Sequence, residues 1–255
     1  MISAANTARV RVLLAELGAI IDAEAYREEI AAPKPALRTF PGDFFVDYGV
    51  FYDFLRSQPL LGPTVSKTEF EGCDVIIRAF ATAGAPVSYC AYALGTAYLE
   101  TASTMQPIDE IGGDTYFKRM YDIQGARPNK ARELGNLAPG DGARFHGRGF
   151  VQLTGKINYT RATKELRSRG LDVDLIAKPE LAKRIDLAGI IMRAGMTEGW
   201  FTGRKLADDL PATGPASFAQ FQASRDIING RDKQDEIARF AIDFQTGLLR
   251  AGYRV

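Results

Sequence analysis

The amino-acid sequence predicts an α+β fold, mostly α, with a small β-sheet. Three observations support this fold class. Apolar residues recur at helical spacing over several long segments. One short segment, residues 144–153, has the glycines and the pattern typical of a strand or a hairpin limb. Hydrophobic residues make up 46% and charged residues 25% of the chain, proportions that supply a buried core and exclude wholesale disorder.

The length of 255 residues favours one domain of about 200 residues with an appendage. The 32 lysines and arginines nearly balance the 31 aspartates and glutamates, so the chain lacks the positive field on which nucleic-acid binding draws. No uninterrupted apolar stretch approaches the roughly 20 residues that span a bilayer. We therefore expect a monomer that binds no nucleic acid and does not insert stably into a membrane.

The first 40 residues are predicted to form the appendage, and residues 41–255 the main domain. The appendage contains an amphipathic helix whose apolar side consists of Val10, Leu13, Leu14, Leu17, Ile20 and Ile21. Pro33 and Pro35 then favour an extended linker. Because Glu16 interrupts the apolar run at residues 12–15, we expect no export signal and a cytoplasmic start.

Three helices are predicted at the beginning of the main domain. Aromatic residues crowd together in residues 43–61, which favours a short helix packed on the core. Ser66 and Glu69 have the spacing of a capping box, so a second helix should begin there and reach about residue 83. Residues 88–101 are apolar on nearly every face, and such a helix is buried on all sides.

The rest of the domain alternates between an irregular stretch, a short strand and further helices. Residues 107–142 are polar and contain glycines, so we expect no regular structure there apart from a short helix at residues 116–121. The strand or hairpin limb at residues 144–153 follows. Helices are then predicted for residues 158–169, 179–196, 217–228 and 232–249.

Glu100 is the first candidate for chemistry because it lies near the carboxyl end of the buried helix. Burial and the negative end of the helix dipole both favour its neutral, protonated form. A general acid needs that form near neutral pH. The alternative is a structural ion pair between Glu100 and an arginine, with three candidates: Arg119, Arg144 and Arg148.

A second carboxylate is available in the loop that follows. Asp109 and Glu110 precede two glycines and Thr115. A carboxylate in a glycine-bearing loop near a buried glutamate suits a two-carboxylate hydrolase, in which the second group stays ionised. The alternative is that both acidic residues are simply solvated.

A few other residues restrict the kinds of metal or ligand site that the chain can form. Cys73, Cys90 and His146 are the only cysteines and the only histidine, which excludes a Cys/His zinc cage, so we expect no metal and no cofactor. We interpret both thiols as buried and inert and the imidazole as structural. Gln152 and Thr154 lie two apart on one face of the predicted strand, where they could bind sugar hydroxyls or only stabilise a turn.

Four segments together resemble the phage and prophage branch of the family 19 chitinase-like glycoside hydrolases. In chain order they are residues 91–110 (AYALGTAYLETASTMQPIDE), 147–159 (GRGFVQLTGKINY), 198–203 (EGWFTG) and 224–230 (SRDIING). The resemblance implies a lysozyme-like α+β fold with a small sheet lining the cleft. It also implies inverting hydrolysis of β-1,4-linked N-acetylhexosamine polymers.

The resemblance also implies site residues, position by position. Glu100 corresponds to the general acid, and Glu110 is the first choice for the general base. Gln152 and Thr154 correspond to residues that bind sugar and position the attacking water. The remaining cleft residues that the resemblance implies are Asn158, Tyr159 and Asn229.

Asp109 is the alternative general base. Glu100, Asp109 and Thr115 have the spacing of the acid, carboxylate and threonine of the phage-type lysozymes, which the sequence also resembles. In that arrangement Asp109 and Thr115 would hold the water on the face of the sugar opposite Glu100.

The sequence thus predicts a muramidase-type endolysin that acts on peptidoglycan glycan strands after waiting in the host cytoplasm for a separate membrane pore. One alternative is a chitinase of the same family. Another is a non-catalytic wall-binding or virion protein with a degenerate site, because Leu99 stands where most relatives carry histidine before the catalytic glutamate.

Overall fold

The computed structural model describes residues 46–228, 230 and 232–253. The predicted amphipathic helix and linker of residues 1–40 lie outside the described residues, and so does Asn229. The division into an appendage and a main domain therefore stays a prediction.

The described part of the chain is mostly helical with one small sheet, which confirms the predicted class. Its α-helices and strands, in chain order, are α1 (Tyr48–Arg56), α2 (Lys67–Ala81), α3 (Val87–Glu100), β1 (Ile108–Asp109), α4 (Asp114–Tyr121), α5 (Pro128–Leu134), α6 (Asp141–Arg144), β2 (Arg148–Gly149), α7 (Lys156–Ser168), α8 (Ile185–Glu198), α9 (Leu206–Asp209), α10 (Phe218–Ala223) and α11 (Gln234–Arg250). Two 3₁₀ helices are added at Pro179–Lys183 and Ser224–Ile227. No helix among these residues is both long and apolar enough to cross a membrane.

Helix α3 is the buried centre of the domain, as its uniformly apolar sequence predicts. Every residue from Val87 to Tyr98 is buried. Gly95 lets α11 approach closely, because a Cβ atom there would lie 2.9 Å from the backbone nitrogen of Ala241. The tight packing of these two helices holds the carboxyl end of α3, and with it Glu100, in a fixed place.

Helix α2 begins with the predicted capping box. The Ser66 hydroxyl accepts a hydrogen bond from the Glu69 amide at 3.2 Å, and Glu69 Oε2 accepts one from the Ser66 amide at 2.8 Å. Two amides that the first turn leaves without a helical partner are satisfied in this way.

The sheet consists of two very short antiparallel strands. Ile108 pairs with Gly149, and Asp109 pairs with Arg148. Arg148 also bridges to Leu153, which closes a tight turn over the residues between them. Strand β2 lies inside the predicted strand segment, whereas β1 falls in the stretch predicted to be irregular.

The predicted helix at residues 179–196 is wrong in one respect, because it is two helices. Arg184 has an extended conformation, with ψ at 124°, which separates the 3₁₀ helix Pro179–Lys183 from α8. The short helices α5, α6 and α9 were not predicted.

Candidate active site

Glu100, the last residue of α3, forms an ion pair with Arg225. Arg225 Nη1 donates to Glu100 Oε1 at 2.9 Å, and the two side chains are 3% and 23% exposed, respectively. None of the three arginines considered from the sequence is the partner. The ion pair that the sequence left as the alternative for Glu100 is therefore present, with a different arginine, and it engages one of the two carboxylate oxygens.

Arg225 and the residue before it, Ser224, are each held by a hydrogen bond. Its Nε donates to the backbone oxygen of Asp232 at 2.8 Å. The neighbouring Ser224 oxygen accepts a hydrogen bond of 2.6 Å from the buried hydroxyl of Tyr92, one of the residues of α3. The guanidinium therefore meets Glu100 in a fixed orientation.

Glu110 comes directly after β1, and its carboxylate receives two hydrogen bonds. Tyr121 donates its hydroxyl proton to Oε1 at 2.7 Å, and the Gly147 amide donates to Oε2 at 3.1 Å. The Glu110 amide in turn donates to the Gly147 oxygen at 2.8 Å. Burial, and next the hydrogen bond to Glu110, raise the pKa of Tyr121, so its hydroxyl remains a donor.

Gln152 lies beside Glu110, and Gly147 makes room for both. A Cβ atom at position 147 would lie 2.7 Å from Gln152 Oε1 and 3.0 Å from Glu110 Oε2. The Gln152 backbone has a positive φ of 56°, which is unusual for a residue with a side chain. Its buried Oε1 has no hydrogen-bond partner among the described residues. The structure thus brings together Glu110 and Gln152, two of the predicted site residues.

The backbone between Glu100 and Glu110 has an unusual conformation. Ala102, Ser103 and Met105 all have positive φ angles, between 50° and 69°. Such conformations cost energy and persist only where the surroundings enforce them. They turn the chain sharply from the end of α3 toward β1.

Asp109 has a different environment from Glu110. It forms ion pairs with Lys183 and with Arg148 Nε at 3.2 Å, and its Oδ1 lies 3.3 Å from His146 Nε2. Partial burial would raise the pKa of Asp109, but the hydrogen bonds from Lys183 and His146 and the nearby positive charges outweigh it and lower the pKa. Asp109 therefore connects the sheet to the 3₁₀ helix Pro179–Lys183.

Thr115 lies in the first turn of α4 and is exposed. Within the described part of the chain, its side chain makes no hydrogen bond to Asp109 or to any other residue. The lysozyme-like pairing of Asp109 with Thr115 finds no support in this geometry.

The predicted sugar-binding residues form a connected series. Thr154 donates its hydroxyl proton to the Gln152 oxygen at 2.8 Å, and Asn158 Nδ2 donates to the Thr154 oxygen at 3.1 Å. Tyr159 is different, because it is fully buried and its hydroxyl lies between Arg148 Nη1 and the His146 oxygen, at 2.7 and 2.8 Å. This position does not fit the predicted cleft contact, and Tyr159 instead holds Arg148 in place.

Two residues of this site were given no role from the sequence. Arg225 lies inside the SRDIING segment, so its motif was noticed but its partner was not. Tyr121 lies at the end of the predicted short helix, where nothing in the local pattern points to Glu110. Cys73 and Cys90 are buried free thiols as predicted, and burial raises the pKa of Cys73 to about 12.

No protein-family model matches the chain, and no curated protein matches it. Solved structures similar to it include chitinase C from Streptomyces griseus HUT6037, with a TM-score of 0.47 and 17% sequence identity over 86% of this chain and 82% of that one. A glutamate-to-glutamine mutant of chitinase C has a TM-score of 0.46 and 16% identity over 82% of this chain and 95% of its own.

Proposed function

We propose that the chain is an inverting glycoside hydrolase that cleaves β-1,4 bonds in peptidoglycan, a muramidase-type endolysin. The observation that carries the proposal is that the two candidate carboxylates, those of Glu100 and Glu110, have different kinds of hydrogen-bond partner. Glu100 is held on one oxygen by a buried arginine, whereas Glu110 receives two neutral donors and has Gln152 beside it. Two glycosidase carboxylates with separate roles need separate environments.

Glu100 acts as the general acid in this proposal. Arg225 fixes Oε1, and among the described residues nothing donates to Oε2. In this mechanism the proton is delivered from Oε2, the oxygen that Arg225 does not contact, to the glycosidic oxygen as the bond between that oxygen and the anomeric carbon breaks.

Glu110 acts as the general base. A carboxylate offers about four lone-pair sites, of which Tyr121 and Gly147 use two. The remaining sites accept a proton from a water molecule, whose oxygen bonds to the anomeric carbon on the face opposite the leaving group. Gln152 is placed to orient that water or the sugar. An inverting reaction of this kind requires the two carboxyl groups to lie about 6.5–9.5 Å apart.

Asp109 is not the base in this proposal, because three cationic or imidazole groups already occupy its carboxylate. Its role is to fix the strand that precedes Glu110. Asp109→Asn should therefore retain most of the activity that Glu110→Gln loses.

Peptidoglycan is proposed as substrate because the four sequence segments resemble the phage and prophage branch of the family. Mass spectrometry of digested peptidoglycan tests the bond. Reducing N-acetylmuramic acid ends would support the proposal, and released stem peptides would contradict it. Reducing ends from colloidal chitin with intact peptidoglycan would identify a chitinase instead.

Matched variants test whether the site is catalytic. Glu100→Gln and Glu110→Gln should each lower the rate of wall clearance by orders of magnitude, on the order of 10²–10⁴ for loss of a positioned acid or base. Glu133→Gln is the control, because Glu133 is an exposed glutamate of α5 whose partner is Lys130 at 3.1 Å. A wild-type protein that binds walls without clearing them would identify the non-catalytic alternative.

A further inference from the structure

Tyr121 and Gly147 hold the two oxygens of one carboxylate, and a stack of aromatic rings connects them. The Tyr121 ring stacks on Phe117 with centroids 6.5 Å apart, and Phe117 stacks on His146 with centroids 4.2 Å apart and planes 5° from parallel. His146 directly precedes Gly147, whose amide donates to Glu110. Both donors of the carboxylate are thus fixed by the same three rings.

The stack is anchored at its middle ring and at its His146 end. Phe117 is 3% exposed. His146 Nδ1 lies 2.6 Å from the Ala143 oxygen, and its Nε2 lies 3.3 Å from Asp109. Rings that are packed and hydrogen-bonded in this way leave the Tyr121 hydroxyl little freedom to move away from Glu110.

We propose that Tyr121 is a positioning residue that sets the orientation of the Glu110 carboxylate through its hydroxyl. The inference rests on the proposed function, because it assigns Tyr121 a task only if Glu110 is the base. Two donors on different oxygens fix the plane of the carboxylate, and therefore the direction of the lone pairs left for water.

The test compares Tyr121→Phe with Tyr116→Phe. Tyr116 is an exposed tyrosine on the same helix, and its hydroxyl makes no hydrogen bond to the described residues, so it is a matched control. The readout is the initial rate of reducing-end release from purified peptidoglycan as a function of substrate concentration, which separates the maximal rate from KM. Both variants keep the ring, and thermal unfolding checks that each one folds.

We expect Tyr121→Phe to lower the maximal rate about tenfold, because a hydrogen bond to a charged group is lost. KM should stay within about twofold of the wild-type value, because the hydroxyl positions the base rather than the substrate. Tyr116→Phe should change neither the maximal rate nor KM. A lower melting temperature with an unchanged maximal rate, measured where the variant is fully folded, would overturn the inference and leave Tyr121 a purely structural role.

A second variant keeps the inference testable if Tyr121→Phe folds poorly. Phe117→Leu removes the ring between Tyr121 and His146 but keeps the hydroxyl, and it should lower the maximal rate by a smaller factor without changing KM. Glu110→Gln separates the two proposals. If it is inactive while neither variant lowers the maximal rate, only the role of Tyr121 fails. If it is as active as wild type, the proposed base fails and the inference fails with it.

Discussion

Arg225 and Glu100 are joined by a hydrogen bond of 2.9 Å although they stand 125 residues apart in the chain. The glutamate ends the central helix α3, and the arginine belongs to the 3₁₀ helix Ser224–Ile227 near the end of the domain. The candidate acid and its partner therefore meet only when these two distant segments have folded against each other. Folding and activity should respond together to changes at this contact.

Arg225→Lys should lower both activity and stability. Lysine keeps the positive charge but lacks the planar fork that reaches Glu100 and the Asp232 oxygen at once. We expect wall clearance to fall about tenfold or more through misplacement of the acid. The free energy of unfolding in urea should fall by about 1–3 kcal/mol, since a buried acceptor loses its partner. Arg184→Lys is the control, because Arg184 pairs with Asp186 at the surface. Wild-type clearance by Arg225→Lys would contradict the proposed orienting role.

Tyr92→Phe tests the support behind Arg225. The Tyr92 hydroxyl donates to the Ser224 oxygen at 2.6 Å in the core, so its loss leaves a buried carbonyl without that donor. We expect a loss of about 1–3 kcal/mol in the free energy of unfolding, measured by urea denaturation. Tyr89→Phe, on the same helix, should cost less, because the Tyr89 hydroxyl has no hydrogen bond to another described residue. Equal losses in the two variants would show that the contact to Ser224 contributes nothing specific.

The long helices could be predicted because each carries its own signal. The uniform apolar character of α3 and the capping box at Ser66 are local, and both predictions are confirmed. Helices α5, α6 and α9 are too short to show a periodic pattern, so they were missed. Strand β1 has only two residues, and its pairing with Arg148 and Gly149 depends on tertiary packing that no local pattern reports.

Residues of the candidate site could be assigned a role from the sequence only where they lie in a recognised motif. The resemblance named Glu110 and Gln152, and the structure places them beside each other at Gly147. It could not reveal that Arg225 pairs with Glu100, because that contact depends on the packing of distant segments. The same motif assigned Tyr159 to the cleft, whereas the structure buries this residue with its hydroxyl between Arg148 and the His146 oxygen, a packing arrangement that the motif does not report.

Asp109→Asn should lower stability at neutral pH and have little effect in acid. The ion pairs lower the pKa of Asp109 in the folded protein. Their stabilising contribution is therefore complete above the pKa of an unfolded aspartate, about 3.9, and disappears as the pH falls through the lower folded value. Urea denaturation at pH 7, 5 and 3 should show wild type and variant converging at the lowest pH. The side chain is 43% exposed, so added salt should also reduce the difference.

Asp53→Asn is the control for this pH dependence. Asp53 pairs with Arg56 at the surface of α1, where an ion pair contributes little. Its stability should differ little from wild type at any of the three pH values. A gap between Asp109→Asn and wild type that stays constant down to pH 3 would mean that the pairing charge of Asp109 is not what stabilises the sheet.

Gly72→Ala should be destabilising even though it replaces a glycine inside a helix. Helix propensity alone predicts a gain of about 1 kcal/mol. A Cβ atom at position 72, however, would lie 1.9 Å from the backbone oxygen of Met105 and 2.7 Å from its Cβ atom, so the two backbones must separate. Overpacking of this kind costs about 1–3 kcal/mol or more, which reverses the sign.

The same change should also reduce activity, because Met105 belongs to the turn between Glu100 and Glu110. Gln106 Nε2 donates to the Thr68 oxygen of α2 at 2.7 Å, so displacing the turn from α2 also strains this contact. We expect the rate of wall clearance to fall at temperatures where the variant is fully folded, as monitored by circular dichroism. Gly49→Ala is the control for stability, because Gly49 lies inside α1 and a Cβ atom there would meet only the flexible Asp47 side chain, at 3.1 Å. If Gly72→Ala were as stable and active as wild type, close packing of α2 against this turn would not be what places the two carboxylates.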